Sequence, residues 1–235
     1  MSKAFMIAYA TTSDGLREII GFAIYNKESK GSWNDFLKSL KKRGLSGVRM
    51  STSDAHEGII DAIARQFPEA AWQRCQFHFT RNILDKAPKK YQAGIANELH
   101  EMFACAKLEE ARKRRAEIIA SYADIAEDTM NCLDNDFESS MSVMVLPNYL
   151  RKFFRTSNRI KRLNKELKRR SKVIGIFPGE ASLMRLIGSV LVERNELLSA
   201  GRRLFKEKTY QELIATDVSI KLITIAQEQR QMLAP

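Results

Sequence analysis

The first eighty residues constrain the fold most, because they alternate two hydrophobic periods in a fixed order. Residues 4–12 (AFMIAYATT) and 17–26 (REIIGFAIYN) are short, β-branched and aromatic, and they flank the turn signal Ser13-Asp14-Gly15. They predict an antiparallel hairpin. Residues 33–44 (WNDFLKSLKKRG) then place Trp33, Phe36, Leu37 and Leu40 on one helical face, with Ser32 as a candidate N-cap and Gly44 as the stop. A third strand over 48–54 ends at Asp54. A helix over 55–68 follows, with Ile59, Ile60 and Ile63 as its buried stripe and Pro68 as its end. Residues 71–79 (AWQRCQFHF) read as a fourth strand. The order ββαβαβ implies an α/β sheet with helices packed on it.

From Thr80 to Leu146 the pattern is helical. Between Lys107 and Glu138 nine acids face five bases, so this stretch reads as a helical insertion rather than more sheet. After Pro147 the charge inverts. Arg151 to Lys172 hold eleven bases and one acid, Glu166, in a chain whose formal net charge is +11. A helix from Asn158 turns Ile160, Leu163 and Leu167 inward and fans the bases outward. Residues 171–182 (SKVIGIFPGEAS) read as a loop or short strand. Residues 183–198 read as an apolar helix packing on the sheet, and 201–235 as an amphipathic helical tail.

Composition excludes several classes. With 44% hydrophobic and 29% charged residues the chain is globular, not disordered. Its 235 residues suffice for one large domain or two small ones. No apolar run is long enough for a membrane span, and the start lacks the pattern of a signal peptide. Three cysteines, Cys75, Cys105 and Cys132, make no disulfide framework, so the expected compartment is the cytoplasm. The basic excess calls for a polyanion, and nucleic acid is the usual one.

Three features could carry chemistry. Asp54 sits where a strand gives way to a helix. There a carboxylate either enters the crevice in which α/β sheets place their sites or merely caps the helix. Cys75 and His78 form a C-x2-H pair, two zinc-type ligands where a closed site needs four. His56 and His100 stand at no supporting spacing, so a packing role competes. The basic helix is the strongest signal. Arg155, Asn158, Arg159, Arg162, Lys165, Lys168, Arg169 and Arg170 are the candidate phosphate contacts, because bases this dense repel one another until phosphates neutralise them. Phe153 and Phe154 could stack on bases or anchor the helix.

Five blocks, residues 14–24, 33–68, 70–84, 154–178 and 182–191, resemble transposases of the Mutator type, a bacterial insertion-sequence group, in family order and spacing. The resemblance implies a ribonuclease-H-like mixed sheet, incomplete at its first strand, with an all-helical insertion. Residues 1–80 would be the first part of this core and 81–148 the insertion. Residues 149–200 would carry the basic and closing helices, and 201–235 the tail. It also implies an Asp-Asp-Glu triad holding two Mg2+ or Mn2+ ions for phosphodiester cleavage and strand transfer. Asp54, in its SDAHEG setting, matches the second Asp and so a metal ligand. Cys75 and His78 match an accessory signature. Two departures stand out. The family's first Asp lies on a strand upstream of these blocks, and Asp14 in its hairpin turn does not replace it. In the block TSNRIKRLN the Glu position is Lys161, a cation that repels metal ions. Glu166 lies five residues on, about 140° around a helix, and faces elsewhere. The expected function is that of a truncated, catalytically defective transposase acting on DNA. The alternative is a non-catalytic DNA-binding fragment that inhibits by forming mixed oligomers with a full-length transposase; a homo-oligomer is also expected.

Overall fold

A computed structural model describes residues 3–174 and 179–233. They form a mixed α/β protein rich in helix: β1 (Ala4–Thr11), β2 (Arg17–Tyr25), α1 (Lys30–Lys42), β3 (Met50–Ser53), α2 (Glu57–Gln66), β4 (Ala71–Arg74), α3 (Gln76–Lys86), α4 (Gln92–Ala104), α5 (Leu108–Tyr122), α6 (Glu127–Met141), a 3₁₀ turn (Ser142–Val145), α7 (Asn148–Phe154), α8 (Asn158–Ile174), α9 (Glu180–Ser199), α10 (Glu207–Ala215) and α11 (Asp217–Leu233). The ββαβαβ order is as read from the sequence. The strands, however, form two two-stranded sheets, β1–β2 antiparallel and β3–β4 parallel. The chain divides into two compact units, one made of Met1–Arg49, Glu57–Ala70 and Asn158–Pro235, the other of Met50–His56 and Ala71–Ser157.

The first unit is built on the hairpin. Its register slips between Ala8 and Tyr9. A bulge of this kind frees backbone groups that need partners. Here the Ile19 amide donates to Asn195 Oδ1 of α9 (2.7 Å), and the Ile20 carbonyl accepts from Arg43 (3.1 Å). Helix α9 covers the sheet: Ile187, Val190 and Leu191 are buried with Ile7 of β1 and Leu167 of α8. In the turn, Thr12 and Arg203 donate to the Asp14 carboxylate, and the Thr12 hydrogen bond is the main cause of its lowered pKa. Asp14 is thus spent on tying the turn to the chain before α10.

Helix α1 starts one turn earlier than the sequence suggests. Ser29 is its N-cap, and Ser32 sits at the third position, returning a hydrogen bond to the Ser29 amide as a capping box. At the other end Gly44 has φ +103°, its amide bonds to Lys41 O, and the Leu45 amide bonds to Leu40 O. That double bond pattern requires a left-handed residue, and glycine adopts it without strain. Along α2 the buried residues are Gly58, Ala62 and Ile63, whereas Ile59 and Ile60 are only half-buried. The small Gly58 and Ala62 supply the close-packing face that a count of large apolar residues overlooks.

The second unit has its own core. Phe79 and Ile83 of α3 meet Ile95, Leu99 and Met102 of α4, Ile118 of α5, and Leu133, Phe137 and Met141 of α6. A buried polar set fastens the small sheet to α6. The Gln73 amide donates to Ser140 O (2.6 Å) and accepts from the Val143 amide (2.6 Å), and Arg74 reaches Asp136 (2.6 Å). The fourth strand is shorter than expected. It ends at Arg74, and Cys75 opens α3. His78 is therefore helical, not extended. Of residues 171–182, 171–174 complete α8, and Glu180 begins α9 after Gly179; 175–178 lie outside the described residues.

Candidate functional site

Two regions gather the residues singled out above, one in each unit. In the second unit β3 and β4 run parallel with Ser53 opposite Arg74, so both strands end at one level. That level is fixed by hydrogen bonds. The Cys75 amide donates to Ser53 O (2.7 Å), the Trp72 indole donates to Ser53 Oγ (2.8 Å), and Ser53 Oγ–H donates to Asp54 O (2.8 Å). Asp54 leaves this anchored point with its side chain exposed. Its carboxylate makes no hydrogen bond or ion pair among the described residues, so a capping role does not account for it.

Helix α3 supplies the facing wall. His78, Arg81, Asn82 and Asp85 follow an i, i+3, i+4, i+7 spacing and so share one face. With Asp54, Ala55 and His56 they line an open cleft of about 430 Å³. His78 Nδ1 is buried without a hydrogen-bond partner. The Asn82 amide, oriented to satisfy both neighbours, donates to His78 O (3.1 Å) and accepts from Arg74 (3.1 Å). Arg81 lies 3.6 Å from Asp85. The sequence reading missed Arg81, Asn82 and Asp85 because it extended the strand through Phe79. The signal was present: Phe79, Ile83 and Ala87 recur every four residues, a helical period.

Cys75 and His78 do different work. His78 faces the cleft, whereas the Cys75 sulfur is buried and accepts from both the backbone amide and the hydroxyl of Ser157, each at 3.3 Å. They do not converge as a ligand pair. Phe153 and Phe154 are half-buried, and the Phe154 carbonyl accepts from Thr52 Oγ1 (2.6 Å).

The first unit holds the basic helix. Leu167 of α8 is buried and Leu163 packs beside it. Arg162, Lys165, Lys168 and Arg169 are exposed, and so is Lys161. The bases are not uniformly available, as the sequence suggested. Glu166 accepts from Arg169 (2.8 Å) and Arg170 (2.9 Å), and Arg170 also bonds Glu193 of α9 (2.9 Å). These bonds, with that from Arg169 leading, hold the Glu166 carboxyl down at about 2. Arg159 donates to Tyr9 Oη (3.1 Å). Of the neighbouring bases in the second unit, Arg151 turns inward to the carbonyls of Leu146 (2.8 Å), Ala106 (2.7 Å) and Met144 (3.0 Å), and Arg155, half-buried, ends α7. Asn158 is the first residue of α8.

A family model described as "Transposase, Mutator family" matches residues 1–200. The chain belongs to the Mutator transposase family. It is 39% identical over 198 residues to the transposase for insertion sequence element IS256 in transposon Tn4001 of Staphylococcus aureus, across 83% of this chain and 50% of the relative. It is 36% identical over 196 residues to the transposase for insertion sequence element ISRM5 of Rhizobium meliloti, across 83% and 49%. With the transposase for IS1081 of Mycobacterium tuberculosis it shares 33% identity over 198 residues, across 84% and 48%. The chain therefore spans about half the length of the curated relatives it matches. No helix among the described residues is long and apolar enough to cross a membrane. Nor, among them, does any group of three or more His, Cys, Asp or Glu side chains converge as a metal ion would require. Asp54 and Asp85 are the carboxylates of the cleft, with His56 and His78 beside them.

Proposed function

We propose that this chain binds DNA as a Mutator-family transposase polypeptide but does not by itself cut or join phosphodiesters. One observation carries the reading: Lys161, an exposed cation on α8, stands where the family resemblance calls for the last catalytic Glu. In such an active site two Mg2+ or Mn2+ ions would stabilise the attacking and leaving oxygens, and a lysine ammonium neither ligates nor tolerates them. Asp54 matches the second Asp of the triad and stands at a strand end. Arg162, Lys165 and Lys168 are the main phosphate contacts. They lie exposed along α8, and no acid on the helix bonds them as Glu166 bonds Arg169 and Arg170. DNA ends and target are the partners this implies.

A strand-transfer assay tests the catalytic half. The chain is incubated with pre-cleaved element ends, supercoiled target and Mg2+ or Mn2+. The expected result is no joined product above background; robust joining overturns the assignment of Lys161 as a lost ligand. A second reading, inhibition of a full-length transposase, is favoured by the same exposed base row, which would occupy DNA without joining it. It calls for titrating the chain into a reaction run by a complete relative. Dose-dependent loss of joined product supports it, and undiminished joining opposes it.

A further inference from the structure

The Cys75 thiol lies fully buried at the start of α3, remote in role from the cleft that His78 lines. Its sulfur receives two donors from one residue, the amide and the hydroxyl of Ser157. A thiol sulfur is a weak acceptor, so two convergent donors mark a docked segment rather than a chance contact. The docking extends along the chain. The Gln76 amide donates to Arg155 O (3.0 Å), and Thr52 Oγ1 donates to Phe154 O (2.6 Å). Residues Phe154 to Ser157 are thus stitched by four hydrogen bonds to residues of β3 and of the β4–α3 junction, the neighbourhood from which Asp54 departs. The next residue, Asn158, begins the basic helix.

We propose that Cys75 is a positioning residue, whose sulfur holds Ser157, the residue that precedes the basic helix in sequence, at the C-terminal ends of β3 and β4. The two halves of the C-x2-H signature then divide the labour: His78 faces the cleft and Cys75 fixes the chain that follows α7. The geometric claim stands on the contacts above. Only its consequence for DNA binding rests on the function proposed in the preceding subsection.

Thiol labelling of the folded full chain, resolved by peptide mass, tests it. Cys105 is partly exposed and serves as the fast reference, while Cys75 and Cys132 are both buried and label slowly. Ser157→Ala deletes the hydroxyl donor, and Cys75 labelling should rise about fivefold, the factor a single hydrogen bond is worth. Cys132 should keep its rate, and Ser157→Thr, which restores the hydroxyl, should return Cys75 to slow labelling. An unchanged Cys75 rate in Ser157→Ala, or an equal rise at Cys132, overturns the proposal. Ser157→Ala should also weaken duplex binding several-fold while leaving its salt slope intact, because no charge is altered. An unchanged affinity refutes the link to the basic helix. If the wild-type chain binds no duplex, the DNA-binding reading fails while the labelling result still decides the clamp.

Discussion

Glu166 shows how one side chain can reset the meaning of a charge run. By sequence it is the single acid among the eleven bases of Arg151 to Lys172. In the folded chain it collects Arg169 and Arg170, with Arg194 at 3.8 Å. Two of the densest bases are thereby answered, and the exposed charge of α8 shifts toward Arg162, Lys165 and Lys168. Because the folded carboxyl titrates at about 2, below the ordinary carboxylate value, its ion pairs stabilise the fold fully above about pH 4.5 and are lost as the pH falls toward 2. The melting-temperature gap between wild type and Glu166→Gln should therefore be constant near neutrality and narrow below about pH 4.5. A gap that widens on acidification would contradict the pairing. The pairs are partly solvated, so the gap itself should be small.

At the scale of elements, the attachment of the helical insertion to the small sheet is decided by polar groups. Gln73 is a strand residue with no exposure, and its amide serves Ser140 O, Arg74 O and the Val143 amide together. Gln73→Leu keeps volume but strands those partners in a dry site. It should destabilise the chain by about 2–4 kcal/mol, several unsatisfied groups at 1–3 kcal/mol each with partial relaxation. Urea unfolding measures this, and a loss under about 1 kcal/mol would show that the network is dispensable. The boundary between β4 and α3 belongs to the same scale. Residues 71–79 carry two phenylalanines and a tryptophan, so local propensity favours a strand throughout. The helix wins from Gln76 because it turns Phe79 and Ile83 into the core of α4, α5 and α6 while leaving His78 and Arg81 outside. Contacts with residues far along the chain, from α4 to α6, outweigh the local preference, and a local pattern cannot register them.

For the whole molecule the uneven charge is the feature that reaches function. Within the insertion, acids answer bases: Arg112 pairs with Glu109 and Glu138, Arg114 with Glu98, Glu101 and Glu117, and Arg115 with Asp134. On α8, Arg162, Lys165 and Lys168 stay exposed. Duplex affinity should fall with salt at a log–log slope near −3 if Arg162, Lys165 and Lys168 each neutralise one phosphate, at about −0.9 per contact. Reversing all three to Glu should flatten that slope toward zero. A slope unchanged by the triple substitution would place the phosphate contacts elsewhere.

The strand and helix order of the first eighty residues, the helical middle, the basic stretch and Asp54 at a strand end were all legible in the sequence. Each is a matter of local period, of turn chemistry or of which residue occupies one position, and a linear reading sees these directly. The tertiary structure alone decided that the strands form two separate pairs, that Cys75 and His78 have different partners, and that Glu166 and inward-turned Arg151 remove bases from the exposed row. These outcomes depend on which distant groups can satisfy a buried donor, acceptor or charge at hydrogen-bond distance, and that pairing exists only once the chain has closed on itself.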